Sequence, residues 1–212
     1  MSDKEIIFVG DPMCSWCWGF APALEGINAM AEGRAAVSVV TGGLRAGETR
    51  LMDDKAKDFI RHHWEEVHQA SGQPFDFSLF ERDDFVYDTE PACRAVVIVR
   101  SANPDAAVPF FTALHRAFYA ENRDITQAEV LADIAEPFGL PRETFLEAFA
   151  DSNIRTATQA DFNYARQLGV SGFPTVVCRQ STPGGDQWAY LTVGYRPLAA
   201  IEPILEEWLE AT

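Results

Sequence analysis

Hydrophobic residues recur along the chain with two different periods, and together they predict a mixed α/β protein. Residues 4–9 and 36–41 are short apolar runs of the kind that form buried strands. Between them, Phe20, Leu24 and Ile27 recur at spacings of four and three, which predicts a helix with one face in the core. A strand, a helix and a second strand in this order predict a βαβ unit with parallel strands.

The middle of the chain has helical periodicity and almost no strand pattern. Five helices are predicted there, and the fourth opens with a capping box, in which Thr126 is followed three residues later by Glu129. We therefore predict that residues 47–150 form an all-helical insertion. Residues 1–46 and 151–212 are then the two halves of one discontinuous domain.

The last part of the chain returns to alternating helix and strand patterns. Asp151 or Ser152 is positioned to cap a long helix. Residues 175–178 and 188–193 are apolar segments on either side of a Pro-Gly-Gly turn, which predicts an antiparallel hairpin. A closing helix begins at Pro197. The predicted fold class is therefore α/β, with a βαβ unit and a ββα unit around one mixed sheet.

The composition and net charge argue against some classes of binding partner. The chain has 212 residues, of which 47% are hydrophobic and 23% are charged, as in ordinary globular proteins. Its formal net charge of −15 argues against nucleic acid or an anionic membrane as a partner, because either would repel it. Residues 1–5 precede only four strongly apolar residues, which is too few for a secretory signal or a membrane span. We therefore expect a cytoplasmic protein.

Two cysteines stand two residues apart at the start of the first predicted helix. Unpaired N–H groups and the helix dipole stabilise an anion at such a position, so a thiolate at Cys14 or Cys17 is favoured there. A thiolate with a second thiol one helical turn away can attack a disulfide and then close on itself. The pattern predicts thiol–disulfide exchange, and in the cytoplasm such a pair is catalytic or metal-binding rather than structural.

A zinc site would need a second pair of ligands at suitable spacing, and the sequence has none. Cys93 and Cys178 stand alone. Cys93 is interpreted as a small core residue, with a role as a second redox partner as the alternative. His62, His63 and His68 lie on one predicted helix at spacings of five and six, which do not place two ligands on one face. We predict no metal site.

Four stretches resemble the DsbA-like thioredoxin-fold proteins and, within them, the FrnE-like cytoplasmic group. They are residues 11–20 (Asp-Pro-Met-Cys-Ser-Trp-Cys-Trp-Gly-Phe), 42–44 (Gly-Gly-Leu), 89–95 (Thr-Glu-Pro-Ala-Cys-Arg-Ala) and 169–175 (Gly-Val-Ser-Gly-Phe-Pro-Thr). Pro22, five residues after the second cysteine, also matches thioredoxin. The resemblance implies a thioredoxin fold with a large helical insertion and a dithiol oxidoreductase that acts on protein disulfides or thiols.

The resemblance also implies roles for individual residues. Cys14 would be the exposed nucleophile and Cys17 the resolving thiol. Pro174 would be a cis-proline opposite Cys14, which leaves the Phe173 backbone free to pair with an extended substrate. The remaining substrate-binding residues predicted here are Ser15, Trp16 and Trp18.

One position departs from the family pattern. The best-known members carry a buried acid six residues before the nucleophilic cysteine, and this chain has Phe8 there. The nearest acid is Asp11, which we assign as the proton acceptor for Cys17. An aspartate that only shapes the turn before a proline is the alternative.

Three functional hypotheses follow. The first is a thiol–disulfide oxidoreductase or isomerase without a bound cofactor, with glutathione as a co-substrate and glutathione or a thioredoxin-type protein as recycling partner. The second is a glutathione-dependent isomerase or transferase of the kappa and 2-hydroxychromene-2-carboxylate isomerase type; those enzymes have a serine at the position of Cys14. The third is a non-enzymatic redox-sensing or zinc-binding module. The intact cysteine pair favours the first.

Overall fold

The computed structural model describes residues 3–211, which form a four-stranded sheet and eight α-helices. The strands are Lys4–Gly10 (β1), Ala36–Thr41 (β2), Thr175–Thr182 (β3) and Gly185–Val193 (β4). The helices are Ser15–Ala31 (α1), Asp54–Ser71 (α2), Glu90–Ala102 (α3), Ala107–Tyr119 (α4), Ala128–Ala135 (α5), Arg142–Ala150 (α6), Ser152–Gln167 (α7) and Leu198–Glu210 (α8). None of these helices is both long enough and apolar enough to cross a membrane.

The sheet has the strand order β2-β1-β3-β4. β1 and β2 are parallel, whereas β3 runs antiparallel to both β1 and β4. The register places Val9 of β1 between Val40 of β2 and Thr175 of β3. The predicted α/β fold, with a βαβ unit and a ββα unit around a mixed sheet and a run of helices between them, is confirmed.

β1 lies inside the sheet because its side chains are buried on both faces. Ile6 and Phe8 belong to the main core that α1 covers, whereas Ile7 and Val9 pack on the opposite face, where Ala165 of α7 covers them. All four β1 side chains are at most 1% exposed. An unbroken apolar run suits such a strand, because neither face meets water.

The helices between β2 and α7 share the main core with α1. Trp64 of α2 is fully buried in a cluster of aromatic rings. The ring centroids that lie 4.8 to 6.0 Å from its own belong to Phe75, Phe77, Phe80, Phe118 and Tyr119. α1 contacts both α2 and α4. The domain boundaries at residues 47 and 150 stay a prediction.

The start of α5 differs from the sequence prediction. The backbone N–H and the hydroxyl of Thr126 both donate to the Asp124 carboxylate, at 3.0 and 2.6 Å. The helix begins two residues later, and its N-cap, Gln127, makes no side-chain capping bond. The capping box at Thr126 and Glu129 is therefore wrong, because the nearby aspartate engages Thr126 in a local turn.

An ion pair of low exposure fixes the end of β2. The Asp161 carboxylate of α7 accepts a 2.9 Å hydrogen bond from the Thr41 N–H. The same carboxylate binds the Arg100 guanidinium of α3 through two bonds of 2.8 and 2.9 Å. This carboxylate connects α7, α3 and the end of β2. These bonds hold the position at which the loop of residues 42–44 begins.

Candidate active site

The turn between β1 and α1 places both thiols of the cysteine pair at a helix N-terminus. The Cys14 N–H donates to the Asp11 carbonyl at 3.0 Å. Cys14 is the N-cap of α1, and its own carbonyl accepts from the N–H groups of Cys17 and Trp18 at 3.0 and 3.1 Å. The positive end of the helix dipole therefore lies at Cys14, where it stabilises a thiolate.

The two thiols differ in burial. Cys14 is 7% exposed and lines a surface groove, whereas Cys17 is 1% exposed beneath it. Burial raises the pKa of the Cys17 thiol well above its usual range, and the adjacent Cys14 raises it further. A hydrogen bond from the Asp11 N–H partly opposes this shift in the pKa of Cys17. The arrangement places a sulfur that lines a surface groove in front of a buried thiol that stays protonated near neutral pH.

We expect a mixed disulfide on Cys14 to be resolved about tenfold faster per pH unit between roughly pH 6 and 8. The attacking species is the Cys17 thiolate, and the raised pKa of Cys17 keeps its fraction small and proportional to hydroxide concentration. Stopped-flow fluorescence on a preformed mixed disulfide with glutathione measures this rate. A rate that stays constant across this pH range would contradict the assignment.

The loop before β3 faces Cys14 across the groove. The peptide bond between Phe173 and Pro174 is cis. The Phe173 carbonyl lies 3.8 Å from the Cys14 Sγ and accepts its hydrogen bond. The ring of Phe173 packs directly on Gly42, where an added Cβ would lie 2.0 Å from the ring atom Cζ. Gly42 is therefore required for the position of Phe173, and through it for the wall opposite Cys14.

We expect the Gly42→Ala substitution to lower the exchange rate about tenfold or more, because the methyl group displaces Phe173 from its position beside Cys14. The same overpacking lowers the free energy of unfolding by about 1–3 kcal/mol. Gly172→Ala is the matched control, because a Cβ at Gly172 meets no atom within 4 Å. Exchange assays and urea unfolding of both variants give the comparison; equal rates in the two variants would show that the contact with Phe173 does not matter.

The Asp11 carboxylate is fully buried and ties together three segments of the chain. Its Oδ1 accepts from the Met13 N–H at 2.8 Å and its Oδ2 from the Leu44 N–H at 2.6 Å. The Cys93 thiol lies 3.5 Å from Oδ2, and Thr89 adds a further hydrogen bond. Burial raises the pKa of Asp11 in spite of these hydrogen bonds, which each lower it. Asp11 thus shapes the turn, and its role as proton acceptor stays a prediction.

Two further residues support the active-site turn and carry no signal in the sequence. The Tyr87 hydroxyl donates to the Met13 carbonyl at 2.8 Å. His115 is fully buried, and its Nε2 lies 3.3 Å from the Asp11 carbonyl, to which it donates. Burial lowers the pKa of His115 to about 3, so the imidazole is neutral. Both residues are distant in sequence from the turn, and only the tertiary fold brings them to it.

The groove above Cys14 has a volume of about 260 Å³. Its lining comes from the active-site turn, the loop after β2, α2, Tyr87 and Phe173. The side chains that line it are Met13, Cys14, Ser15, Trp16, Leu44, Arg45, Phe59, Ile60, His63, Trp64, Tyr87 and Phe173. The structure therefore brings the predicted substrate-binding residues Ser15, Trp16 and Phe173 together.

Trp18 does not lie in this groove. Its indole is 5% exposed, and its Nε1–H donates to the Pro74 carbonyl at 3.0 Å. Trp18 follows Trp16 by two residues, a step that rotates the side chain by about 200° around the helix axis. The two indoles therefore point to opposite sides of α1. Trp18 therefore packs against the segments that follow β2, and its role in substrate binding stays a prediction.

Phe8 takes the space where a buried acid would lie in the best-known relatives. Phe8 is 0% exposed, and its ring stacks on Phe20 with a centroid distance of 6.1 Å. Gly10 separates this ring from the Cys17 thiol, since an added Cβ would lie 2.5 Å from the Phe8 ring and 3.2 Å from the Cys17 Sγ. The underside of the cysteine pair is therefore apolar and closely packed.

The remaining cysteines and histidines form no metal site within residues 3–211, where no group of three potential metal ligands occurs. Cys178 is buried in β3. His62 and His63 both lie on α2 and contact Glu66, and His63 also lines the groove above Cys14.

The family model for the DsbA-like thioredoxin domain matches residues 5–196. The chain belongs to this family. The match spans both cysteines, the helices between β2 and α7, and the hairpin of β3 and β4. The DsbA-like assignment made from the sequence is confirmed, whereas the narrower FrnE-like group stays a prediction.

Solved structures of similar proteins extend the family comparison over the whole chain. A proposed protein disulfide isomerase from Nitrosomonas europaea is 37% identical, with a TM-score of 0.88 and 98% of each chain covered. The cytosolic disulfide reductase DsbM from Pseudomonas aeruginosa is 25% identical, with a TM-score of 0.76 and 97% of this chain and 98% of DsbM covered. DsbM is also known in a structure with GSH, where the TM-score is 0.75.

A further similar protein is named as an adapter. The ClpXP adapter protein SpxH of Bacillus subtilis is 24% identical over 173 residues, which cover 81% of this chain. The match spans 57% of the length of SpxH. The chain thus corresponds to little more than half of that relative.

Proposed function

We propose that this protein is a cytoplasmic thiol–disulfide oxidoreductase, with Cys14 as nucleophile and Cys17 as resolving thiol. One observation carries the proposal: Cys14 opens onto a groove at a helix N-terminus, with Cys17 buried directly behind it. An accessible thiolate needs a second thiol within reach to release the substrate, and this geometry supplies both.

The reaction has two exchange steps. The Cys14 thiolate attacks one sulfur of a substrate disulfide; a bond forms between Cys14 and that sulfur, the substrate S–S bond breaks, and one substrate thiolate leaves. Cys17 then loses its proton and attacks the Cys14 sulfur. The Cys14–Cys17 disulfide forms and the second substrate thiolate leaves. Two electrons pass from the protein dithiol to the substrate, and the reverse sequence oxidises a substrate dithiol.

The substrates are protein or small-molecule disulfides and thiols, and glutathione serves as co-substrate. Two glutathione molecules, or a thioredoxin-type dithiol, reduce the Cys14–Cys17 disulfide and complete the cycle. The similarity to DsbM supports this choice, since that protein is named a cytosolic disulfide reductase and was solved with GSH. The same similarity supports the cytoplasmic location.

The test is the reduction potential of the Cys14–Cys17 pair. The protein is equilibrated in glutathione buffers, and the fluorescence of Trp16 and Trp18 reports the redox state. A potential near about −270 mV would give a reductant, whereas about −120 to −180 mV would give an oxidant or isomerase. The absence of a reversible two-electron transition would overturn the dithiol proposal and favour a glutathione-dependent isomerase or transferase.

An adapter role is the second candidate, and the similarity to SpxH favours it. An adapter needs a binding surface but no turnover, and it fits the earlier hypothesis of a non-enzymatic redox or zinc module. Metal analysis of the purified protein and catalytic assays with protein disulfides distinguish the two candidates. Turnover by metal-free protein would support the oxidoreductase.

A further inference from the structure

The groove above Cys14 has an unusual charge composition for so acidic a protein. The sequence has 32 acidic and 17 basic residues. Yet no aspartate or glutamate lies among the twelve residues that line the groove. Arg45 is the only arginine or lysine among them, and the other basic residue there, His63, lies 3.1 Å from the Glu66 carboxylate. The twelve lining residues therefore carry a formal charge of opposite sign to that of the whole protein.

The Arg45 side chain has no carboxylate partner in the described part of the chain. Its guanidinium carbon lies 5.3 Å from the centroid of the Tyr87 ring, which forms another part of the groove wall. Its backbone N–H donates to Thr89 at 3.1 Å, so the main chain is held in place. By contrast, Arg50, five residues further on, pairs with Glu48 at 3.1 Å. Arg45 is thus held at the groove wall and forms no ion pair within residues 3–211, although Glu48 and Asp53 line the neighbouring pocket that Arg45 also borders.

We infer that Arg45 selects substrates that carry a carboxylate next to the reacting sulfur. The inference rests on the proposed function and specifies its substrate class. A guanidinium at the groove wall can bind a carboxylate through two parallel hydrogen bonds, and the partial shielding of the groove from water strengthens the attraction. The remaining lining is mostly apolar and suits the carbon skeleton around the disulfide.

The net charge of the protein makes a local cation necessary for such a substrate. A field from a net charge of −15 repels an anionic disulfide and slows its encounter with Cys14. Arg45 opposes this repulsion at the groove wall. Two kinds of substrate can present a carboxylate near the reacting sulfur. One is a small acidic thiol such as glutathione, and the other is an acidic segment of a protein chain.

The experiment compares disulfides that differ in charge. Pre-reduced protein reacts in a single turnover with glutathione disulfide (anionic), bis(2-hydroxyethyl) disulfide (neutral) and cystamine (cationic), and Trp fluorescence follows oxidation. The disulfide of the peptide acetyl-Asp-Cys-Asp amide adds an acidic peptide. We expect Arg45→Gln to slow the anionic disulfides about tenfold, to leave the neutral one within twofold, and to speed cystamine. If Arg45→Gln slows only one of the two anionic disulfides, that result would show whether Arg45 recognises glutathione or an acidic peptide.

Two further variants separate charge from structure. Arg45→Lys keeps the charge and is expected to restore most of the preference for anionic disulfides. Arg50→Gln is the control, because it removes a nearby cation that lies outside the groove lining. An equal slowing of all four disulfides by Arg45→Gln would show that Arg45 has a structural role. Unchanged rates would show that Arg45 has no role in the reaction. Either result overturns the inference. If the wild-type protein reduces none of the four, the proposed function itself fails.

Discussion

Replacing Cys14 with serine is expected to abolish disulfide reduction, with a loss of at least about a thousandfold. A serine hydroxyl stays protonated at neutral pH and forms no exchangeable bond with sulfur, so the first step cannot occur. Replacing Cys17 with serine is expected to stop the cycle one step later, because the mixed disulfide on Cys14 has no internal thiol to release it. Mass spectrometry of each variant after incubation with a protein disulfide measures the trapped adduct.

Cys178→Ala is the matched control for both variants. Cys178 is a buried cysteine in β3, and it does not line the groove. We expect this variant to retain turnover and to trap no substrate. An adduct that persists in Cys14→Ser would show that another cysteine is the nucleophile. Cys93, which contacts Asp11, would then be the first candidate.

Replacing Asp11 is expected to cause the largest loss of stability of any single change in the site. Asp11→Ala leaves the buried N–H groups of Met13 and Leu44 without acceptors, which costs about 2–5 kcal/mol of unfolding free energy in total. Asp11→Asn keeps one acceptor oxygen and is expected to lose less. Urea unfolding of the three proteins measures these differences.

The pH dependence of this effect has a definite sign. Burial raises the pKa of Asp11 above its usual value of 3.8, so the folded state binds the proton more tightly than the unfolded state. The stabilisation from protonated Asp11 is complete below that usual value and is lost as the pH rises through the raised pKa. Asparagine does not titrate there. We therefore expect the stability advantage of the wild type over Asp11→Asn to shrink as the pH rises from about 4.

The same variant tests the role of Asp11 in proton transfer. If Asp11 accepts the proton of Cys17, Asp11→Asn changes the pH dependence of exchange. An unchanged profile in a folded variant would remove that role and leave Asp11 as a residue that positions the turn. Asp53→Asn is the control for capping alone, because Asp53 is an exposed N-cap that accepts from Ala56 at 2.8 Å.

The sequence predicted those elements of secondary structure that are determined by residues close together in the chain. The apolar run of β1, the helix that begins after Cys14 and the hairpin around residues 183–185 each follow from periodicity and turn residues within about ten positions. The N-cap of α7 was predicted for the same reason, and the structure confirms Asp151 as the cap, since its side chain accepts from Asn153. Local signals were sufficient for the fold class.

The parts that the sequence did not predict depend on contacts between distant segments. His115 reaches Asp11 across 104 residues and Tyr87 reaches Met13 across 74, so no spacing pattern could indicate either contact. Arg45 becomes informative only when the absence of carboxylates around the groove is known. Trp18 lies away from the groove that Trp16 lines, because the helix separates side chains that are close in sequence.

The cysteine pair and much of the groove wall lie on different segments of the chain, and this separation affects how the protein can evolve. The reacting sulfurs and the facing carbonyl come from residues 11–17 and 173–174, whereas much of the groove wall, including Phe59, Ile60 and His63, comes from α2. Under the proposed function, substitutions in that helix are expected to alter which substrates bind without altering the exchange chemistry. Exchange of the exposed positions of α2 between homologues therefore offers a direct route to proteins with the same chemistry and new clients.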